Sequence, residues 1–194
     1  MSQAQLGIRL EKLIDTLSNP DFLANRGIGN EIGFYIFAYD PKEEPVVANF
    51  IPRLKKRLAG PEFGLRVLEF NLYSLLLELL EKRDLLRKSF ELEARKGSAA
   101  LEKALRRIVR PEKLVGLIGE RLSEQLDLVF LAGVGAAYPL VRSHTVLNNL
   151  HAMIDSTPLV MFFPGSFDGQ ELRLFNRLKD DNYYRAFPLL ESVS

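Results

Sequence analysis

The sequence contains no cysteine. That absence excludes disulfides, zinc–thiolate sites, iron–sulfur clusters and a cysteine nucleophile, and it fits a reducing compartment. No long apolar run is present either, because the most apolar stretch, Leu72 to Leu80, is interrupted by Glu78 and is far shorter than the ~20 residues of a membrane-spanning helix. Residues 1–18 carry charges and lack the apolar core of a signal peptide. We therefore expect a cytoplasmic protein with no membrane partner.

The sequence also lacks a strong net charge, since 26 Lys and Arg residues face 25 Asp and Glu residues and leave +1. This balance gives no overall attraction to nucleic acid or to an anionic membrane. At 194 residues and 47% hydrophobic content, the chain is long enough to bury most of its apolar surface around one core. We predict a single domain over residues 1–194.

Short apolar runs alternate with helical patterns along the chain. Runs without polar alternation predict buried strands at Ile32 to Tyr39, Leu65 to Phe70, Leu128 to Leu131 and Leu159 to Phe163. Residues 84–124 contain three helical stretches, separated at Gly97-Ser98 and at Arg110-Pro111, and form a helical insertion. The pattern predicts an α/β fold of three layers, with a mainly parallel sheet and helices on both faces.

Two prolines mark predicted boundaries. The helix predicted over Val46 to Leu58 contains Pro52, which has no N–H group and should kink or divide the helix. The strand that begins at Leu159 should end at Pro164-Gly165.

The loop after the first predicted strand, Asp40 to Pro45, is unsuited to phosphate. Two prolines remove N–H donors and three carboxylates repel an anion. A second loop, Gly133-Val134-Gly135, begins like a dinucleotide fingerprint, but Tyr138 stands in place of its third glycine. That loop is compatible with a nucleotide site and with a tight strand-to-helix turn. The element order resembles a degenerate P-loop or AAA-like domain without a phosphate-binding loop, so we expect no cofactor.

Polar side chains that invite a functional interpretation lie in the C-terminal third. Arg142 and His144 flank Ser143 at the start of a predicted helix, where they would meet an anion or form an ordinary cap. Asp168 follows Pro164-Gly165, without the spacing of a nucleophile elbow around Ser166. Residues 180–185 form a polar and aromatic cluster. The cluster is either a turn that leads into a closing strand or a partner-binding edge, because Tyr and Arg are frequent interface anchors.

Seven short motifs follow one another in this third of the chain. They are Val129-Phe-Leu-Ala-Gly-Val-Gly, Tyr138-Pro-Leu-Val-Arg-Ser-His144, Leu147-Asn-Asn-Leu150, Pro158-Leu-Val-Met-Phe-Phe-Pro164-Gly165, Asp168-Gly169, Leu172-Arg-Leu-Phe175 and Asp181-Asn-Tyr-Tyr-Arg-Ala-Phe187. Together they resemble the BrxB family of the bacteriophage exclusion (BREX) defence systems. The chain length and the order of elements also suit that family.

The resemblance implies a core component of a multi-protein system that methylates host DNA and blocks phage replication. It supplies no catalytic residue, and we expect a non-catalytic adaptor. A PglZ-type alkaline-phosphatase-like protein is the first partner to expect, followed by a large ATPase and a DNA methyltransferase. The motif positions carried as partner-binding candidates are Tyr138, Arg142, His144, Asp168, Asp181, Asn182, Tyr183, Tyr184 and Arg185.

Two other functions stay open on the sequence. Nucleic-acid binding is suggested by the basic residues between Arg106 and Lys113, although Glu102, Glu112 and Glu120 dilute them and favour a solvated helical face. A hydrolase that uses Asp168 and His144 has the weakest basis, because no pattern brings those groups together.

Overall fold

A computed structural model describes most of the chain. The described residues are 3–24, 33–122, 125–150, 153–154, 157–179 and 186–190. No helix in these segments is both long enough and apolar enough to cross a bilayer.

The centre of the fold is a parallel sheet in which neighbouring strands run in the order β2-β3-β4-β1-β7. These strands are β1 (Phe34–Tyr39), β2 (Val67–Asn71), β3 (Leu128–Ala132), β4 (Leu159–Phe167) and β7 (Phe187–Pro188). Their β-branched and aromatic residues favour extended backbone, and every residue of β3 is buried. Since neighbours along this path pair in parallel, the predicted sheet is confirmed.

Helices connect the strands, as parallel neighbours require. They are α1 (Gln3–Leu17), α2 (Pro20–Leu23), α3 (Glu44–Leu58), α4 (Leu72–Glu81), α5 (Leu86–Lys96), α6 (Ser98–Leu105), α7 (Pro111–Gly119), α8 (Val134–Ala137) and α9 (Ser143–Leu150). A 3-10 helix, Pro41–Glu43, joins β1 to α3. The predicted breaks at Gly97-Ser98 and Arg110-Pro111 do separate α5, α6 and α7.

Two apolar cores lie on opposite faces of the sheet. Alternate residues of β4 supply both: Leu159, Met161 and Phe163 pack with α4, α7 and α9, whereas Val160 and Phe162 pack with α1 and α3. A strand that is buried on both faces has no polar alternation, which explains its continuous apolar run. The structure is therefore the predicted three-layer arrangement.

Strand β4 extends beyond the predicted end at Pro164. Through Pro164 it pairs in parallel with β1, and from Gly165 to Phe167 it pairs antiparallel with β5 (Leu172–Leu174), which in turn pairs with β6 (Leu178–Lys179). A Cβ atom at Gly165 would collide with the carbonyl oxygen of Arg173. Glycine at this position therefore permits the close approach of β5. The predicted end of the strand was wrong, because at Pro164 the strand changes its pairing partner from β1 to β5 and does not enter a turn.

Of the two effects predicted for Pro52, a kink or a division of the helix, the division was wrong. Helix α3 is assigned without interruption from Glu44 to Leu58. Proline cannot donate to the carbonyl of Ala48, but both residues are exposed, so water can serve that oxygen. Burial of Val47 and Leu54 on the opposite side of α3 stabilises the helix despite the missing bond.

A buried arginine links α1 to the sheet through a hydrogen bond. Arg9 is only 3% exposed, its Nη2 donates to the carbonyl oxygen of Ala38 at 2.8 Å, and its guanidinium lies 4.6 Å from the centre of the Phe37 ring. Burial lowers the Arg9 pKa, and the nearby carboxylate of Glu43 opposes that shift. Both Glu43 oxygens are buried and accept no hydrogen bond from the described residues, so the Arg9 charge is what compensates them.

Candidate functional site

A cavity of about 250 Å³ opens at the carboxyl ends of β3 and β4. Ligands of parallel α/β sheets commonly bind outside this edge, because the loops that follow the strands converge there. Its lining residues are Val134, Tyr138, Val141, Arg142, Ser143, Phe163, Leu172, Leu174, Arg177, Leu178 and Lys179. We refer to it as the carboxyl-edge cavity.

One wall of the carboxyl-edge cavity is formed by α8 and the loop that leads into α9. This wall starts at Gly133, which has a φ of +70°, and the space of its missing Cβ atom is taken by the side chain of Asn71. Asn71 Oδ1 accepts hydrogen bonds of 3.1 Å from the backbone N–H groups of Tyr73 and Ser74 and so caps α4. The need for glycine at 133 is therefore explained by a tight turn beside a helix cap.

The opposite wall is the β5–β6 hairpin. Asp168 Oδ1 accepts hydrogen bonds from the backbone N–H groups of Gln170 (2.9 Å) and Glu171 (2.7 Å), which form the turn into β5 and lower the Asp168 pKa. Glu171 in turn forms ion pairs with Lys179, at 2.9 Å, and with Arg173, and these cations lower its pKa. Asp168 therefore stabilises the turn of the hairpin. This structural role gives no support to the hydrolase alternative, in which Asp168 would act on a substrate.

The rim of the cavity is cationic. Arg142 from one wall and Arg177 from the other are both exposed, and neither forms an ion pair with any residue that the structure describes. Lys179 adds a third positive charge, which Glu171 partly neutralises. Among the residues that the structure describes, none that lines the cavity is a carboxylate. The site therefore combines fixed positive charge with apolar side chains, a chemistry that suits recognition of an anionic, partly apolar group.

The predicted candidates separate into three sets. Tyr138 and Arg142 line the cavity. His144 is half-buried in α9 and Asp168 is exposed in the hairpin turn, and neither is a lining residue. The remaining candidates, Asp181, Asn182, Tyr183, Tyr184 and Arg185, lie outside the described residues.

Sequence reasoning did not identify Phe163, Arg177 and Lys179, which line the same cavity. Arg177 and Lys179 follow Phe175 and Asn176, whose positive φ values reverse the chain between β5 and β6. A positive φ at a phenylalanine is not signalled by the sequence. The approach of Arg177 and Lys179 to Arg142 depends on a long-range packing of the hairpin against α8 and was not encoded in any short motif.

Comparisons with known proteins agree with one another. The family model described as "BREX protein BrxB" matches residues 68–189. A BREX protein BrxB of Bacillus cereus (strain H3081.97) is 47% identical over 187 residues, which cover 94% of this chain and 96% of the relative. A BREX protein BrxB of Escherichia coli O9:H4 (strain HS) is 32% identical over 186 residues, covering 95% and 92%. No solved structure matches, so the resemblance to a degenerate P-loop domain stays a prediction.

Proposed function

This chain belongs to the BrxB family of BREX proteins, and from that membership we propose that it is a non-catalytic core component that acts as an adaptor in the defence complex. A protein of a multi-component system has the other components as its natural partners. Among them we propose the PglZ-type alkaline-phosphatase-like protein as the first partner, ahead of the ATPase and the DNA methyltransferase.

The observation that carries this proposal is the chemistry of the carboxyl-edge cavity. In an enzyme, this edge of the sheet would hold a nucleophile with a base, or acidic groups of contrasting pKa. Among the described residues, the lining holds Arg142, Arg177 and Lys179, the hydroxyl residues Tyr138 and Ser143, and apolar side chains, with no carboxylate or histidine to act as a base. Arginine is among the residues that most often carry the energy of protein interfaces. Residues 181–185, Asp-Asn-Tyr-Tyr-Arg, follow shortly after Lys179 and extend the same Tyr- and Arg-rich composition along the chain.

Co-purification tests the proposal. When the full chain is co-expressed with the PglZ-type protein of its own system, we expect a complex of fixed stoichiometry on size-exclusion chromatography. Tyr184→Ala and Arg185→Ala should each lower the recovered partner about 10-fold, since interface Tyr and Arg residues commonly cost 1.4 kcal/mol or more when truncated. Tyr73→Ala, at an exposed tyrosine of α4, is the matched control.

If neither the PglZ-type protein nor any other BREX component co-purifies with the wild-type chain, the adaptor function is wrong. A complex that the Tyr184 and Arg185 changes leave intact removes residues 181–185 from the interface and leaves the adaptor function standing.

Nucleic-acid binding within the same system is the second candidate. Arg107, Arg110 and Lys113 are exposed around the junction of α6 and α7 and form no ion pair within the described part of the chain, whereas Arg106 is held by Glu102 at 2.6 Å. Replacement of Arg107, Arg110 and Lys113 together by glutamine should weaken DNA binding in a mobility-shift assay. The slope of the logarithm of the binding constant against the logarithm of the salt concentration should also become shallower, by the amount expected for about three phosphate contacts. Absence of any shift with the wild-type chain at low salt would dismiss this candidate.

A further inference from the structure

The size of the carboxyl-edge cavity restricts its occupant. Its volume is about 250 Å³, below the roughly 300–1,000 Å³ of typical small-molecule and cofactor sites. A dry apolar cavity of about 150 Å³ accommodates benzene. The cavity is therefore large enough for one aromatic or branched aliphatic side chain and too small for a dinucleotide.

The interior of the cavity favours an apolar group. Phe163, Leu172 and Leu174 are 1%, 0% and 8% exposed, and they present hydrocarbon to the space between the two walls. An apolar side chain that enters this space leaves water for a hydrocarbon surface, which is favourable in proportion to the area covered. Leu178, which is 40% exposed, extends the apolar surface to the mouth of the cavity.

The charges at the mouth favour an anionic segment around that side chain. Arg142 and Arg177 project from opposite walls and have no carboxylate partner among the described residues. A guanidinium binds a carboxylate through two parallel N–H···O bonds, so two arginines that flank an apolar opening match an apolar residue with acidic neighbours. The complementary partner surface is therefore acidic.

A protein segment fits this site better than a nucleic acid does. Single-stranded nucleic acids bind along cationic grooves with aromatic faces on which bases stack. The aromatic ring in the interior, Phe163, is buried, and Tyr138 packs edge-on against Phe175 with ring centres 6.3 Å apart.

We propose that the carboxyl-edge cavity binds an apolar side chain presented by an acidic segment of a partner protein, with Arg142 and Arg177 pairing with carboxylates on either side of it. This inference rests on the proposed adaptor function and specifies the chemistry of the docking segment. The role of Arg142 is thus to orient a partner at the mouth of the cavity.

Charge reversal tests the role of the rim. The full-length double variant Arg142→Glu/Arg177→Glu is compared with Arg53→Glu/Lys56→Glu, which changes the net charge equally at exposed positions of α3, on the other face of the sheet. We expect the first variant to recover at least ~10-fold less of the co-expressed BREX partner, because like charges would face each other. The α3 variant should recover the wild-type amount. Both variants should melt within a few degrees of the wild type, since all four side chains are exposed.

The chemistry of the occupant is tested by photo-crosslinking. A benzophenone amino acid in place of Leu178 puts a reactive group at the mouth of the cavity, and mass spectrometry identifies what it captures in the purified complex. We expect a peptide of the partner in which an apolar residue is flanked by Asp or Glu. A neutral or basic peptide, or a nuclease-sensitive adduct, overturns the proposal.

The outcomes separate this inference from the adaptor function. Failure of the wild-type chain to bind any BREX component contradicts the adaptor function and, with it, this inference. A stable complex that survives Arg142→Glu/Arg177→Glu overturns only the assignment of the cavity. Equal losses in the rim and α3 variants also overturn it, because net charge rather than the cavity would then govern binding.

Discussion

Phe162→Ala is expected to lower the free energy of unfolding by about 3–5 kcal/mol, the usual cost of emptying a buried phenylalanine site. Phe162 is fully buried on the central strand β4 and contacts two other rings edge-on, Phe37 at 5.9 Å and Phe130 at 5.3 Å between ring centres. The three rings lie on β1, β4 and β3 within the core that α1 and α3 cover. Collapse around the vacancy would have to move three paired strands, so the cavity should persist.

Urea unfolding followed by circular dichroism measures this loss. Phe90→Ala is the matched control, because Phe90 is 59% exposed on α5 and should change stability by less than about 0.5 kcal/mol. Similar losses for the two substitutions would contradict the central position assigned to Phe162.

Arg9→Met should lower the free energy of unfolding by about 3 kcal/mol, because it leaves the buried carboxylate of Glu43 without its compensating charge. The carbonyl oxygen of Ala38 also loses a donor at 2.8 Å. The double variant Arg9→Met/Glu43→Met should recover much of that loss, since apolar replacement of both charged groups removes the uncompensated charge. Chemical denaturation of the two variants and the wild type measures this coupling.

Lys12→Met on the same helix is the control for Arg9→Met. Lys12 is exposed, and its replacement should leave stability within about 0.5 kcal/mol of the wild type. A double variant less stable than Arg9→Met alone would show that Glu43 is stabilised by something other than Arg9.

The fold was predictable to the extent that its signals are local. Asn71 follows an apolar run and precedes a helical period, and it caps α4 as its side-chain chemistry requires. The breaks around Gly97 and Pro111 lie where predicted, because glycine at a positive φ and proline at the first turn of a helix act through their own backbone. Continuous apolar runs identified a sheet that is covered on both faces.

Features that depend on distant partners were not predictable in the same way. Strand β4 continues beyond Pro164 because β5 pairs with it, and no residue near the proline indicates that pairing in the sequence. Arg9 looks like any polar residue of an amphipathic helix, and its burial depends on Glu43 and the carbonyl of Ala38, which lie 29 residues or more along the chain. In both cases, tertiary contacts override a local preference.

The candidate site shows the same division. Arg142 and Tyr138 were identified because they lie in a distinctive motif at the predicted sheet edge, and both line the cavity. Arg177 was missed because it belongs to a hairpin whose position relative to α8 is a property of the folded chain. The two arginines at the mouth are 35 positions apart in sequence and form one site only after β4 has changed partner.

The dual pairing of β4 also has a mechanical consequence. Strand β4 carries Phe163 of the cavity interior and forms the hydrogen bonds to β5. In the centre of the sheet, the same strand is paired with β1 on one side and with β3 on the other. A pull on a docked partner would be transmitted along this strand as shear, which loads many backbone hydrogen bonds together instead of breaking them one at a time. The docking site proposed above would therefore be built on a strand that is paired on both sides, and such a site would resist displacement when large components of the complex move against each other.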